Sequence, residues 1–348
     1  MTGPTDKARA AAPRRMHLNE SPFPVPEPVQ AAIAQAAATV NRYPSDFGPA
    51  LVTEIAAYAG APESRVFVSA GTNEILHLIP VIGDVLRPDD EIVVPDPSFP
   101  TYQKVARHVG FKVVTVPVLA NGVPDIDGVL AAIGPRTKMV CVPSPNNPTG
   151  GLLSADALEK LIAGVPAHIL LHLDEAYYEF GREAGGPETL PLLEKRPGNW
   201  LTTRSFSKAF GLAGLRLGYG IASDEALAEH CRLRRPNFSV NAAAQAAGIA
   251  ALQHREIMEA NVAAIARERD RLARGLSALG LTPFDTAANF IAMPSPSAVP
   301  DMKTALAQRG ILVTGFAMAD GTPAFRITIG LEDDNDAVLA AIADILKR

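Results

Sequence analysis

The chain has only two cysteines, no excess of basic residues and no long apolar run, and each shortage narrows what it can be. Cys141 and Cys231 form neither a disulfide framework nor a metal-ligand spacing, which fits a reducing, cytoplasmic setting. The net charge of −5 argues against a nucleic-acid partner, which needs a basic face. The apolar runs are short and interrupted by charge or proline, so the sequence predicts no membrane span.

The rest of the composition is typical of a globular protein. Hydrophobic residues make up 47% and charged residues 20% of the 348 residues, enough for one large domain or two. Residues 1–15 lack a continuous apolar segment, so we expect a mobile tail there rather than a secretory signal. His168 and His172 are four residues apart in a strand-like run, a span of roughly 13 Å, so we predict no metal site there.

Short apolar runs alternate with helical patterns from residue 66 onward. Buried strands are expected at residues 66–69, 91–94, 112–116, 139–142 and 169–173. Helices are expected between them, for example at 74–86 and 155–163, the second with Ser154 as its N-cap. This alternation predicts an α/β fold in which helices cover both faces of a mostly parallel sheet.

After Pro236 the pattern changes. Residues 241–279 predict one or two long helices. The elements expected after them are strands at 289–293, 311–314 and 325–329, a helix around Ala305 and a closing helix. We interpret this α+β block as a smaller domain.

One lysine lies in unusual surroundings. In the stretch 205–219, Lys208 follows Ser205 and Ser207, and Arg216 follows among glycines. A lysine beside hydroxyls, glycines and a guanidinium suits an amine that attacks an aldehyde while a phosphate is held next to it. An ordinary surface lysine is the alternative, which this context disfavours.

Two further segments add groups that complement this lysine. Asp174 ends an apolar strand, where a carboxylate serves either as a helix N-cap or as a site group at the carboxyl edge of the sheet. Tyr177 follows, and Asn147 lies in the run Ser-Pro-Asn-Asn-Pro-Thr-Gly; separately, these two read equally well as a core tyrosine and a turn asparagine. Together the three segments supply an amine, a carboxylate for a ring nitrogen, donors for a phenolate oxygen and a phosphate cup, which matches pyridoxal 5′-phosphate (PLP).

With these motifs, in this order, the chain resembles the fold-type-I PLP enzymes of the aminotransferase class I/II group, and within that group the histidinol-phosphate aminotransferases. The resemblance runs from about Leu18 to the C-terminus. It implies a large PLP-binding domain with a mostly parallel seven-stranded sheet at 42–236 and a smaller α+β domain at 237–348. The segment 16–41 is expected to pack with the smaller domain.

The resemblance also implies roles for these residues. Lys208 would hold the cofactor and move a proton at the substrate, and Asp174 would pair with the pyridine nitrogen and keep it protonated. Tyr177 and Asn147 match the positions that hydrogen-bond the phenolate oxygen.

The cofactor phosphate and ring have their own expected partners. Ser205, Ser207 and Arg216 would hold the phosphate, and Gly71-Thr72-Asn73 at a helix start would add backbone amides, although many βα turns look like this motif. Two aromatic residues complete the expected cofactor set: Phe99, matching the ring that stacks on the pyridine, and Tyr43, matching a tyrosine that reaches the phosphate across a subunit interface. A shared site of this kind implies a homodimer.

The substrate end departs from the family pattern. Arg326 matches the arginine that binds a substrate carboxylate, and Asn19 begins the N-terminal pattern. Where histidinol-phosphate aminotransferases usually carry a tyrosine and an arginine, this chain has Phe23 and Thr314. A pocket that lacks this cation and this phenol suits a neutral or aromatic side chain better than a phosphate.

Several functions stay open at this point. The leading hypothesis is a PLP-dependent aminotransferase of the histidinol-phosphate type that uses 2-oxoglutarate; an aromatic or other neutral amino acid is the alternative donor. A threonine-phosphate-type PLP decarboxylase uses the same fold. A non-catalytic ligand-sensing domain is disfavoured, because no basic recognition module precedes Asn19.

Overall fold

The computed structural model describes residues 12–78 and 89–347. Its twelve strands are β1 (Arg14–Arg15), β2 (Val66–Ser69), β3 (Glu91–Asp96), β4 (Lys112–Pro117), β5 (Thr137–Pro143), β6 (Leu170–Asp174), β7 (Trp200–Ser205), β8 (Gly218–Ala222), β9 (Phe290–Pro294), β10 (Ile311–Leu312), β11 (Thr314–Ala317) and β12 (Pro323–Thr328).

The helices of the described residues are α1 (Glu27–Ala37), α2 (Pro49–Ala59), α3 (Thr72–Leu78), α4 (Thr101–His108), α5 (Ile126–Ala131), α6 (Ala155–Gly164), α7 (Tyr178–Glu183), α8 (Leu190–Leu193), α9 (Glu225–Arg234), α10 (Ala242–Gln253), α11 (Arg255–Ala278), α12 (Met302–Ala307) and α13 (Glu332–Leu346). Two short 3₁₀ turns, Glu63–Arg65 and Ala213–Leu215, lie before β2 and β8.

A seven-stranded sheet forms the centre of the larger part of the molecule. Its strand order is β2-β8-β7-β6-β5-β3-β4, and β8 alone runs antiparallel to its neighbours. The residues of β2, β7 and β8 are all buried, because helices cover the two faces. The predicted mostly parallel α/β sheet is therefore confirmed.

The parallel strands bring their carboxyl ends to one edge of this sheet. The register pairs Pro143 with Asp174, Asp174 with Thr203, and Ser205 with Gly218, so these strand ends are level. Because β8 is antiparallel, its first residue rather than its last lies at the same edge. Turns that follow β2, β3, β5, β6 and β7 consequently meet there.

Two small sheets lie in the C-terminal part. β9, β11 and β12 form an antiparallel sheet in the order β11-β12-β9, and β1 pairs in parallel with β10. The expected single strand at 311–314 is wrong: it divides at Val313, because its first half pairs with β1 and its second half with β12.

The N-terminal segment joins the C-terminal part. The Met16 N–H donates to Leu312 O at 3.0 Å, and Met16 O accepts from Thr328 N–H at 2.9 Å. β1 occupies the last two positions of the expected tail, so for Arg14 and Arg15 that expectation is wrong; residues 1–11 lie outside the described residues. The division at 16–41, 42–236 and 237–348 stays a proposal.

The helix predictions differ in outcome. Ser154 Oγ accepts from Ala157 N–H at 3.2 Å and caps α6 as expected, and the region 241–279 forms two helices, α10 and α11. The helix expected at 74–86 is present as α3, with 79–86 outside the described residues. β7 and β8 were not among the strands that the apolar runs predicted.

Candidate active site

The expected site residues converge at the carboxyl edge of the large sheet. We call Asp174, Ser205, Ser207 and Lys208 the floor, since they end or follow the adjacent strands β6 and β7. We call Asn19, Phe23, Thr314 and Arg326 the rim, since they come from the N-terminal segment and the small sheet.

Lys208 lies in the turn after β7 and faces the N-terminal segment. Its Nζ donates to Leu18 O at 3.0 Å and to Asn19 O at 3.2 Å, and lies 6.0 Å from the centroid of the Tyr177 ring. Burial lowers the pKa of Lys208 to about 8, helped by the positive charges of Arg326 and Arg216 and opposed by Glu20. A much larger share of this amine is therefore neutral near pH 8 than for an ordinary lysine.

Asp174 is buried at the end of β6. Its Oδ2 accepts from Tyr102 OH at 2.5 Å and its Oδ1 from Ala176 N–H at 3.0 Å, so the carboxylate turns towards helix α4 and its own turn. Burial raises the pKa of Asp174 to about 6, while the hydrogen bonds that it accepts oppose that rise. At neutral pH the carboxylate is mostly ionised, as a partner for a protonated ring nitrogen must be.

Tyr177 and Asn147 are each held by a rim residue. The Tyr177 hydroxyl accepts from Asn19 Nδ2 at 2.8 Å, and Asn147 Oδ1 accepts from Arg326 Nη1. Burial raises the pKa of Tyr177, so the phenol keeps its proton as a donor. The structure thus links both expected phenolate donors to the substrate side of the site.

The expected phosphate cup is contiguous. The Ser205 Oγ accepts from Ser207 N–H at 3.1 Å, and Ser205 pairs with Gly218 across the sheet. A Cβ at Gly218 would lie 2.5 Å from the Thr72 amide nitrogen, so the start of β8 touches the start of α3. Asn73 is the second residue of that helix.

Gly71 and Arg216 close the other side of the cup. Gly71 has a φ of +81°, and a Cβ there would lie 2.5 Å from Arg216 Nη2. Arg216 itself has a φ of +58°, and its Nη1 donates to Ala213 O at 3.1 Å. Position 71 therefore requires glycine, because the Cβ of any other residue would clash with the Arg216 guanidinium and displace it.

The two expected aromatic residues differ in their surroundings. Phe99 follows β3 and meets Tyr102 edge-on at 5.9 Å between centroids. Tyr43 is 82% exposed, and its ring stacks on Phe238 at 4.7 Å. Phe99 therefore packs beside Tyr102, which donates to Asp174, whereas Tyr43 lies on the surface.

Arg326 is the central cation of the rim. Its Nη2 donates to His17 O at 2.7 Å and to Thr314 Oγ1 at 3.2 Å, and Thr314 and Arg326 pair across β11 and β12. The guanidinium is buried, which lowers the pKa of Arg326, and its Nε–H has no partner among the described residues. A buried cation with a free N–H is suited to an anion that approaches from the site.

Asn19 ties the rim together. It is 1% exposed, its N–H donates to Thr328 Oγ1 at 2.9 Å, and its carbonyl accepts from Asn289 Nδ2 at 3.1 Å. The hydroxyl of Thr314 donates to His17 O at 2.7 Å, whereas Phe23 is half-buried against the main core. Position 314 therefore supports Arg326 instead of presenting a second cation.

Three residues of the site were missed from the sequence. Tyr102 donates to Asp174, Thr203 lies opposite Asp174 in the sheet, and His172 is hydrogen-bonded to Thr203. For Tyr102 the available signal was its place three residues after Phe99, at the start of α4. Thr203 carried no signal, because a threonine in a strand is ordinary.

Among the described residues, no group of three or more His, Cys, Asp or Glu side chains could hold a metal ion, and His172 instead bonds Cys141 and Thr203 inside the sheet. No helix within residues 12–78 and 89–347 is both long and apolar enough for a membrane crossing.

The chain matches known proteins over nearly its whole length. Residues 15–342 match the family described as aminotransferase class I and II. A histidinol-phosphate aminotransferase 2 of Caulobacter vibrioides is 36% identical over 93% of this chain and 84% of its own. An aromatic amino acid aminotransferase of Rhodococcus opacus is 38% identical over 91% of this chain and 86% of its own.

A solved structure agrees with the fold. The histidinol-phosphate aminotransferase from Sinorhizobium meliloti, crystallised with pyridoxal-5′-phosphate, superimposes with a TM-score of 0.89 at 28% identity. The match covers 97% of this chain and 91% of that one.

Proposed function

Because the chain belongs to the class I and II aminotransferase family, we propose that it moves an amino group between a ring-bearing amino donor and 2-oxoglutarate, with histidinol phosphate as the first candidate donor. Family membership confirms three predictions from the sequence: the type-I fold, PLP-dependent transaminase activity and PLP as cofactor. The donor, the acceptor and the role of each residue are our proposals.

The floor fits the cofactor chemically. When bound, PLP supplies an aldehyde that takes up the amino group and a protonated ring that withdraws electrons from the substrate's Cα. Ser205, Ser207 and Arg216 offer hydroxyls and a guanidinium to its phosphate, beside the amides of Thr72 and Asn73 at the start of α3. Asp174 offers its buried carboxylate to the ring nitrogen.

Lys208, Tyr177, Asn147 and Phe99 would contact the remaining parts of the cofactor. The low pKa of Lys208 leaves a neutral amine to hold the aldehyde end and to carry a proton at the substrate's Cα. Tyr177 and Asn147 would donate to the phenolate oxygen, and Phe99 would stack against the ring.

The observation that carries the proposal is the arrangement of Lys208, Asp174 and Arg326 around Tyr177. The charge of Arg326 contributes to the low pKa of Lys208, and both cations donate to carbonyls of residues 17–19. A buried guanidinium beside the amine can orient the carboxylate of an amino acid or oxo acid. The half of the reaction with 2-oxoglutarate needs that contact, and so does the other half when the donor is an amino acid; histidinol phosphate has no carboxylate and would offer its phosphate to the guanidinium instead.

An aromatic amino acid is the second candidate donor. The Thr314 hydroxyl donates to His17 O and accepts from Arg326, so it is already hydrogen-bonded. Phe23 presents a phenyl ring instead of a phenol. A distal phosphate would therefore lack a cation and a hydroxyl at these two positions, whereas an aryl ring needs neither.

A donor screen tests the proposal. Purified enzyme with PLP is mixed with histidinol phosphate, phenylalanine, tyrosine and other amino acids, and the visible spectrum of the cofactor and the glutamate formed from 2-oxoglutarate are followed. We expect glutamate formation with at least one ring-bearing donor. Carbon dioxide release without glutamate would indicate a decarboxylase, and an unchanged spectrum with every donor would favour a ligand-sensing domain.

We also propose a homodimer with shared sites in the cytoplasm. Tyr43 and Phe238 form an exposed aromatic pair, which a second copy could cover so that Tyr43 reaches its cofactor phosphate. Free, buried Cys141 and Cys231 support a reducing compartment.

A further inference from the structure

His172 lies two residues before Asp174, on the same face of β6. The register places Cys141 opposite His172 on β5 and Thr203 opposite Asp174 on β7, so all four side chains share that face. Tyr102 of α4 covers them, with its ring 6.3 Å from the His172 ring.

Hydrogen bonds link Cys141, His172 and Thr203 in a row that ends beside Asp174. Cys141 Sγ lies 3.0 Å from His172 Nδ1, and His172 Nε2 lies 3.0 Å from Thr203 Oγ1. Thr203 is the residue opposite Asp174 in the register of β6 and β7, and its hydroxyl lowers the pKa of that carboxyl. Every member is fully buried or nearly so, which excludes water as a substitute partner for a lost bond.

The chemistry of these side chains fixes which group donates in each hydrogen bond of the row. An ionised carboxylate only accepts, so a Thr203 hydroxyl that turns to Asp174 donates to it and must itself accept from His172 Nε2–H. Nδ1 of a neutral ring then accepts from the Cys141 thiol. Burial raises the pKa of Cys141 and lowers that of His172 to about 3, so thiol and ring both stay neutral.

We propose that His172 is a positioning residue that fixes the direction of a hydrogen-bond chain from Cys141 through Thr203 to the Asp174 carboxylate. Tyr102 and Ala176 N–H donate to the same carboxylate, while the charge of the adjacent Glu175 opposes its ionisation. This row of hydrogen bonds keeps one more donor directed at Asp174. It therefore favours the ionised carboxylate, paired with a protonated ring nitrogen, over the neutral carboxylic acid. This inference rests on the proposed role of Asp174.

The first test is made on the wild-type protein. In ¹⁵N NMR of the full chain with labelled histidine, with and without PLP, we expect the His172 ring in the Nε2–H tautomer and uncharged from pH 5 to 9. A proton on Nδ1, or a charged ring in this range, would overturn the proposal. This measurement does not depend on turnover, so it stays informative even if no amino donor is found.

The second test uses a matched pair of Thr→Val variants as holoenzymes. Thr203→Val removes the donor to Asp174, whereas Thr202→Val removes a hydroxyl of the same strand that donates to Glu175 at 2.7 Å. With ¹⁵N-labelled PLP we expect only Thr203→Val to shift the ring nitrogen towards its unprotonated resonance and to lower kcat several-fold at unchanged KM. Equal behaviour of the two variants would contradict the proposal.

Variants of His172 separate positioning from packing. His172→Leu should move the ¹⁵N resonance of the cofactor in the same direction by a smaller amount, and His172→Gln, which can donate and accept at once, should restore it. A folded His172→Leu enzyme with the wild-type resonance would show that His172 only fills space.

Discussion

The floor and the rim of the site are built in different ways. The floor residues Asp174 and Ser205 end strands whose register is fixed by a buried sheet, so their positions follow from the pairing of β6 with β7. The rim residues Asn19 and Arg326 come from segments more than 300 residues apart and meet through hydrogen bonds. A floor of this kind keeps the reaction chemistry constant. Substitutions in a rim of this kind can change which substrate is bound without disturbing the sheet.

The largest effect is expected from breaking the floor at Lys208. Lys208→Ala should lower turnover by roughly 10²–10⁴-fold or more, because the proton carrier at Cα is lost, yet some PLP should remain in the phosphate cup. Borohydride reduction of the wild type should fix the cofactor to the peptide that contains Lys208. Lys195→Ala, which removes an exposed lysine paired with Glu159, is the control; label on any lysine other than Lys208 contradicts the assignment.

A milder break of the floor is Asp174→Asn. A neutral amide cannot stabilise a protonated ring nitrogen, so we expect a loss of about 2–3 kcal/mol in the transition state, or roughly 30- to 150-fold in kcat. PLP retention should change much less than kcat. Asp125→Asn keeps the cap of α5 and should leave kcat unchanged, and near wild-type turnover in Asp174→Asn would refute the role.

The rim is tested by Thr314→Arg. The added cation should raise the ratio of kcat/KM for histidinol phosphate to kcat/KM for phenylalanine by about tenfold, which corresponds to ~1.4 kcal/mol for one phosphate contact. Thr322→Arg adds the same charge at the turn between β11 and β12 and should not change the ratio. A strong wild-type preference for histidinol phosphate, unaltered by Thr314→Arg, would show that its phosphate is held elsewhere.

A subunit-mixing experiment tests whether a second subunit contributes Tyr43 to the site, in addition to the floor and the rim. Tyr43→Ala should weaken PLP retention, and mixed with Lys208→Ala it should restore about a quarter of the wild-type sites, because a hybrid dimer has one intact site. Mixing each variant with itself provides the baseline. A monomer with full activity at the assay concentration would contradict the shared site.

The smallest expected effect is the electrostatic coupling between rim and floor. The rate at which the apoenzyme takes up PLP should rise with pH around a midpoint near 8, since only neutral Lys208 reacts. Arg326→Gln removes a charge that favours the neutral amine, so the midpoint should move upward by roughly one unit or less. An unchanged midpoint would mean that the charge of Arg326 does not contribute to the low pKa of Lys208.

The sequence predicted those parts of the fold in which apolar residues repeat with a clear period. It missed β7 and β8 because their buried positions hold Thr202, Thr203, Arg204 and two glycines. Those polar groups are tolerated inside the sheet because partners satisfy them, as Glu175 does for Thr202 and for Arg204 at 3.0 Å. Such pairing is a tertiary property that local patterns do not show.

The site residues also divide into those that sequence motifs predicted and those that only tertiary packing places. Lys208, Asp174 and Arg216 could be named because each lies in a motif with a fixed order along the chain. Tyr102 and His172 could not be placed, because their contacts to Asp174 and Thr203 depend on strand register and helix packing. The same holds for the support that Thr314 gives Arg326 across β11 and β12.

The carbonyl groups of residues 17–19 set a boundary for redesigning this enzyme. Three consecutive backbone oxygens hold the ammonium of Lys208 and the guanidinium of Arg326, so an insertion or deletion here would misplace both at once. A library that varies only the side chains at positions 23 and 314 leaves those oxygens where they are. The accessible route to new donors is therefore substitution on a fixed main chain, and variants should be selected for specificity before loop length is altered.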